Sequence, residues 1–209
     1  MDTVVILHGL ARRATSMRKL ALAVEKAGYK TVSLNYPSMR WPIDDLVEDL
    51  FSQLPTIGTL SFVGHSLGGI ISKKLMRKLT IDRRGRIVQI GAPNFGTEIA
   101  ARAAAFAPII GPTLAELEPH GGEDDSGLDI GAIGGTAAHS AYSMITGIDG
   151  ENDGKVSLRS AWGHAPEHKR LAFPVAHSLM MQDKQVIAAT LDFLNTGRFD
   201  NSRQDTQPN

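Results

Sequence analysis

Ser66 sits in the stretch "LSFVGHSLGG" (60–69), between Gly64 and Gly68 and directly after a run of apolar and β-branched residues. A serine hydroxyl is a poor nucleophile near neutral pH. It becomes a good one when an imidazole within hydrogen-bond reach takes its proton and a carboxylate fixes that imidazole's tautomer. Candidates for both follow later in the chain: Asp149 and Asp153 in "GIDGENDGKVS" (147–157), then His164, His168 and His177, the last in "PVAHS" (174–178). Attack on a carbonyl also needs donors for the developing oxyanion. The backbone N–H after the nucleophile, that of Leu67, can supply one, and a loop leaving the first strand can supply another. Leu10, after "HG" in "LHGL" (7–10), is the matching position. The small residues at 64 and 68 suit a strand that turns abruptly into a helix, where the corner residue takes a positive φ and backbones pass closely.

Such groups work only if the fold brings them together. Short β-rich runs recur at 3–7, 30–35, 59–64, 86–91, 141–146 and 169–173. Between the first four lie segments of helical spacing: Met17, Leu20, Ala21 and Val24; Ile43, Leu46, Val47, Leu50 and Leu54; Ile70, Ile71, Leu75 and Leu79. Thr15 or Ser16 can cap the first helix, and Asp44 and Asp45 suit the dipole of the second. A last helix over 178–195 carries Leu179, Met180, Val186, Ile187, Leu191 and Leu194 on one broad face. Strand alternating with helix implies right-handed crossovers and an α/β architecture, a mainly parallel sheet of about six strands with helices on both faces.

Functional groups in such sheets gather at the carboxyl ends of the strands. Serine, acid and histidine then leave three separate strand ends in that order. His164 and His168 precede the final strand and so belong at the opposite end of the sheet, which selects His177. His8 and His65 flank the site in hydrogen-bonding roles, and His164 with His168 lacks the helical context of a two-histidine metal site.

The ordered set "LHGL" (7–10), "GHSLGG" (64–69), "GAPNFGTE" (91–98), "NDGKVSLRSA" (152–161) and "VAHSLMM" (175–181) resembles the α/β-hydrolases, and among them the small bacterial lipases and esterases. The resemblance spans residues 3 to about 195. It implies the α/β-hydrolase fold with strand order 2-1-3-4-5-6, Ser66 as nucleophile, Asp153 rather than Asp149 as the acid, and His177 as the base. The backbone amides of Leu10 and Leu67 would form the oxyanion hole. The activity implied is carboxylic ester hydrolysis through an acyl-serine, with no cofactor, no metal and a small-molecule acyl ester as substrate. The same residues would serve a thioesterase or acyltransferase, or a non-catalytic protein binding an acyl ligand or a partner.

Composition narrows the rest. The 209 residues suit one catalytic domain over 1–196, followed by a polar tail (197–209) expected to be disordered, with Phe199 its only large apolar residue. Residues 100–140, Ala-rich and then Gly/Pro-rich, are too long for an ordinary crossover. They read as a lid-like excursion over the carboxyl edge of the sheet, with Phe106, Ile109, Ile110 and Leu114 offering apolar surface for an acyl chain. Twenty-two basic residues balance 22 acidic ones, which disfavours a nucleic-acid partner. The one basic cluster, Lys73, Lys74, Arg77, Lys78, Arg83, Arg84 and Arg86 against Asp82, reads as a solvated helix face and turn. Cysteine is absent, so thiolate sites are excluded. No apolar stretch reaches the roughly 20 residues of a membrane span, and "MDTVVILHG" lacks the basic start and long apolar run of a secretory signal. The expectation is a cytoplasmic protein.

Overall fold

Alternate residues of a strand face opposite ways, so a strand buried on both sides must be apolar throughout. The first strand, β1 (Thr3–Leu7), meets that demand: Val5 and Leu7 join one core, Val4 and Ile6 the other. In the computed structural model, which describes residues 2–103, 111–138 and 147–200, β1 lies inside a six-stranded sheet. Its partners are β2 (Lys30–Leu34), β3 (Leu60–His65), β4 (Arg84–Ile90), β5 (Asp129–Gly135) and β6 (Arg170–Phe173), in the expected order 2-1-3-4-5-6 and all parallel.

The helices are α1 (Arg18–Lys26), α2 (Ile43–Ser52), α3 (Leu67–Lys78), α4 (Glu98–Ala103), α5 (Pro112–Ala115), α6 (Leu158–Trp162) and α7 (Lys184–Thr196). One core joins Phe62, Ile87 and Ile130 of the sheet to Leu46 and Leu50 of α2 and Ile71 and Leu75 of α3. The other joins Val63, Val88, Ile133, Leu171 and Phe173 to Leu20 and Val24 of α1 and Val186 and Phe193 of α7. Each fully buried side chain of this size contributes about 1.5–3 kcal/mol, so the two cores clamp the sheet from both sides.

Several local expectations are corrected. The fifth strand is Asp129–Gly135, inside the stretch read as excursion; residues 141–146 lie outside the described residues. The irregular passage between β4 and β5 therefore ends at Leu128. Strand β5 escapes a β-propensity reading because three of its seven residues are glycine. The packing explains them: a Cβ at Gly131 would lie 2.6 Å from the Phe193 ring and one at Gly134 2.2 Å from Leu158.

The chain enters α1 through a 3₁₀ turn, Ala14–Met17, and neither Thr15 nor Ser16 caps it; the Ser16 hydroxyl donates to the Arg13 carbonyl instead. The last helix starts six residues later than the spacing suggests, capped by Asp183, whose carboxylate accepts the N–H groups of Gln185 and Val186. Leu179 is consequently exposed. Phe199 is buried against Phe193, so the fold reaches past Gly197.

The basic cluster is also not simply solvated. Lys73 is fully buried, its ammonium 3.0 Å from Asp125. Lys74 pairs with Asp44, Lys78 with Glu48, Arg77 with Glu123 and Arg86 with Asp129.

Backbones also pass closely where β3 turns into α3 beside β1. A Cβ at Gly64 would lie 2.3 Å from the Gly68 carbonyl, and one at Gly68 2.4 Å from the Leu7 carbonyl oxygen. Backbone cannot rotate aside as a side chain can. Gly64→Ala is expected to lower stability by at least about 2 kcal/mol, read as a lower urea midpoint at unchanged slope. Gly121→Ala, with open space around the added methyl, is expected to stay within about 0.5 kcal/mol of the parent.

Candidate active site

Ser66 is the corner residue between β3 and α3, with φ 54° and ψ −123°. Among the described non-glycine residues only Ala11 shares a positive φ, at 55°. Such a conformation costs on the order of 1–3 kcal/mol and persists only where the surroundings enforce it. Here the Ser66 N–H donates to the Ile90 carbonyl at 2.9 Å, carrying the β3–β4 ladder one residue past the strand, while its carbonyl accepts from Gly69. The side chain is thereby lifted off the sheet edge. Leu67 opens α3, so its N–H is one of the four that a helix leaves without an intrahelical partner.

Asp153 is buried in the loop before α6. Its Oδ1 accepts the N–H groups of Lys155 (2.9 Å) and Val156 (2.8 Å), and its Oδ2 lies 2.7 Å from His177 Nδ1. The backbone repeats the link, with His177 N–H donating to the Asp153 carbonyl at 2.9 Å. A carboxylate with this pattern accepts, so Nδ1 of His177 carries the proton and Nε2 is the free acceptor. Gly91, at φ 60°, makes room for the pair: a Cβ there would come within 3.1 Å of His177 Nδ1 and 3.2 Å of Asp153 Oδ2. Asp149 is exposed, as are His164 and His168; His164 packs its ring on Phe95.

Ser66, His177 and Leu10 line one cavity of about 290 Å³. Its walls are largely apolar, from Pro93, Ile99, Leu114, Leu117 and Val156, with Arg12 and Lys155 among the polar lining residues. Of the residues expected to receive an acyl chain, Leu114 lines this cavity; Phe106, Ile109 and Ile110 lie outside the described residues. The loop 91–98 is stitched to the segment carrying Asp153. Gln89 and Asn94 exchange amide hydrogen bonds at 3.1 and 3.0 Å, Asn94 N–H donates to the Ser160 carbonyl, and the Ser160 hydroxyl donates to the Gly96 carbonyl. That is the physical content of two motifs, 91–98 and 152–161, far apart in sequence.

The flanking histidines are structural. His8 stacks on Tyr36 with ring centroids 4.1 Å apart, and the Tyr36 hydroxyl donates to the His8 carbonyl. Burial lowers the pKa of His8 and raises that of the Tyr36 phenol. His65 is buried behind His177 and donates from Nε2 to the His177 carbonyl at 3.0 Å. Its Nδ1 is buried with no hydrogen-bond partner among the described residues, as a neutral ring in that tautomer leaves it. Desolvation, reinforced by His177, holds the His65 pKa well below the usual imidazole range. The sequence places His65 beside the site in a hydrogen-bonding role; the structure adds its partner, the His177 carbonyl.

No protein-family profile and no curated protein sequence matches the chain. Solved structures do. A Bacillus licheniformis lipase in its mature form aligns over 94% of this chain and 92% of its own, with a TM-score of 0.74 at 18% identity. The fold is that of the α/β-hydrolases. Against the propeptide form of that lipase the TM-score is 0.75 at 17% identity over 95% of this chain, which spans about half (51%) of that longer one. A metagenomic carboxyl esterase aligns with a TM-score of 0.62 at 19% identity over 86% of this chain and 65% of its own. A pyrethroid hydrolase from Sphingobium faniae gives 0.63 at 12% over 94% and 98%. Within the α/β-hydrolase fold seen here, no described helix is long and apolar enough to cross a membrane.

The buried histidines set a pH dependence. Unfolded, the imidazoles of His8 and His65 take up protons near pH 6.5, whereas folded they do so only at lower pH. Below that value the unfolded chain binds more protons, so the stability these groups carry is complete above it and is lost as pH falls. The urea midpoint is expected to be lower at about pH 5 than at about pH 7.5, and His65→Gln is expected to narrow that gap.

Proposed function

We propose that the protein is a serine hydrolase of carboxylic esters. The observation that carries this reading is the 2.7 Å Asp153–His177 hydrogen bond, whose imidazole faces the same cavity as Ser66 at its strained corner. A lipase and a carboxyl esterase among the structural neighbours agree with it.

In this reading Ser66 Oγ attacks the ester carbonyl carbon while His177 Nε2 takes the hydroxyl proton. The carbonyl oxygen becomes an oxyanion held by the Leu10 and Leu67 N–H groups, which act where charge develops. Collapse breaks the bond to the alcohol oxygen, and His177 returns the proton to it. Water then attacks the acyl-serine with His177 again as base, releasing the carboxylic acid and restoring Ser66. Asp153 holds Nδ1–H throughout and stabilises the imidazolium. The residues in these roles supply the whole reaction with water as the second substrate.

The decisive test is intact-mass detection of a fluorophosphonate adduct, followed by turnover of short p-nitrophenyl esters and thioesters. One adduct is expected on the parent and none on Ser66→Ala. Ser66→Ala and His177→Ala are each expected to lower kcat by roughly 10³-fold or more, and Asp153→Asn by far more than Asp149→Asn. Equal losses from the two Asp variants would remove the acid assignment. An unlabelled, folded parent would overturn the hydrolase reading in favour of acyl-ligand binding.

A further inference from the structure

Beside the cavity at Ser66 lies a second, wider one of about 700 Å³, formed where the loops leaving β1 and β2 meet. The two share Ala11 and Arg12. Arg12, Arg13 and Arg40 all line the wider basin, and no carboxylate does. Lys155 adds a further cation on the Ser66 side, again without a lining carboxylate. Among the described residues none of these four side chains has an ion-pair or hydrogen-bond partner, whereas most of the basic cluster on α3 and β4 is matched to acids. Of the undescribed stretches, 104–110 and 139–146 contain no Asp or Glu, and 201–209 contains Asp205 alone. In a chain of zero formal charge, an acid-free group of cations beside a reactive serine is a marked segregation.

The basin is also built. The Ala11 N–H donates to Ser38 Oγ at 3.1 Å and the Ala14 N–H to Asn35 Oδ1 at 2.8 Å, tying the arginine-bearing turn to the β2 exit loop. The strained φ of Ala11 and the stacking of His8 on Tyr36 fix the two loops from beneath. From the other side the Thr113 hydroxyl donates to the Trp41 carbonyl. These contacts fix the backbone that carries the arginines; guanidinium groups recognise oxyanions through paired N–H donors, and several together suit a group with more than one charge, a phosphate.

We propose that this basin is the subsite for a phosphate carried on the alcohol side of the substrate, so that the esters hydrolysed are acyl esters of phosphorylated alcohols, of the 1-acylglycerol 3-phosphate type. The inference rests on the hydrolase reading above and deepens it. An ester carbonyl at the Leu10 N–H shares its cavity with Ile99, Leu114, Leu117 and Val156, for the acyl chain. The chain runs directly from Leu10 through Ala11 and Arg12, which both cavities share, to Arg13 in the wider basin, for the phosphorylated alcohol. Water cleaves the acyl–oxygen bond; the phosphate leaves unchanged on the released alcohol.

The test compares 1-hexanoylglycerol with 1-hexanoylglycerol 3-phosphate, both short enough to stay monomeric, so that no membrane surface enters. The phosphorylated ester is expected to have the higher kcat/KM, by about tenfold or more, carried by KM. The preference is expected to shrink as salt rises from about 0.05 to about 0.5 M. In Arg13→Gln/Arg40→Gln the ratio between the two esters is expected to fall most of the way to one. Equal turnover of both, or a preference that survives the double variant, overturns the proposal. Calorimetry with inorganic phosphate separates the sources: phosphate binding lost in the double variant, with no preference between the esters, makes free anion the occupant and overturns the substrate assignment. If neither ester turns over, the fluorophosphonate adduct decides the hydrolase reading separately. Calorimetry on Ser66→Ala then decides the subsite: tighter binding of the phosphorylated ester, lost on replacing Arg13 and Arg40, upholds it, and equal binding of both overturns it.

Discussion

The corner at Ser66 is the constraint from which the rest of the molecule follows. A residue with a Cβ does not take φ 54° unless its neighbours over-determine it. Two elements do so. The Ile90 carbonyl captures the Ser66 N–H, and α3 is pressed so near to β1 that only hydrogens fit at 64 and 68. The helix must then be locked laterally. Its inward face buries Ile71 and Leu75 on the sheet, and its Lys73 is drawn under the 123–125 segment by Asp125. Removing one partner of such a buried pair leaves an unmatched charge, which is far costlier than the pair is valuable. The pair thus fixes register more than it adds stability.

The other half of the site is made rigid by different means. Asp153 and His177 leave different strands, and neither sits in regular structure. Their mutual placement depends on two side-chain hydrogen bonds from backbone N–H to Asp153 Oδ1 and on the paired contacts between the two residues. Behind them the Gln89–Asn94 amide pair and Ser160 knit the loop after β4 to the start of α6. A preorganised site needs this support, because donors and bases act only if they need not reorganise as charge develops. The cost is a set of buried polar groups, each of which must find a partner. His65 Nδ1, without a hydrogen-bond partner among the described residues, is the acceptor-only nitrogen of a neutral imidazole, so it leaves no buried donor unmatched.

What the sequence disclosed follows from how each feature is encoded. Strands β1 to β4 announce themselves through β-branched residues and β6 through Leu171 and Phe173, and the order serine, acid, histidine is legible because parallel sheets collect strand exits at one edge, although the strand before the acid is not. Strand β5 was not readable, since the bulk of Phe193 and Leu158 takes the volume that its own side chains would have filled. The choice of Asp153 over Asp149 came from a resemblance, while in the structure it corresponds to burial and two backbone donors that spacing alone cannot convey. The partners of the basic cluster were hidden for a simpler reason. Glu123 and Asp125 lie some fifty residues away and Asp44 and Glu48 about thirty, so local charge counting misread paired groups as solvated ones.

That pairing bears on the site. Exposed ion pairs contribute about 0–1 kcal/mol each, so the bridges along α2 and α3 are poor candidates for what holds the fold together. Their larger effect is on the distribution of charge. With equal numbers of acids and bases, every carboxylate committed on the α2–α3 flank is one fewer to neutralise the opposite loops. Arg12 and Lys155 are near enough to the Ser66 edge of the sheet to depress the affinity of His65 for a proton. The same field acts on anything entering the cavity. It favours anions on approach, and it strengthens as a bound ligand excludes solvent. An apolar cavity with a cationic border therefore discriminates twice, by the length of the chain it covers and by the charge of what remains outside. Leu117 of the apolar wall belongs to the core that packs on the sheet, whereas Arg12, Arg13, Arg40 and Lys155 stand outside both cores, so the charge of the border can change while the corner at Ser66 stays fixed.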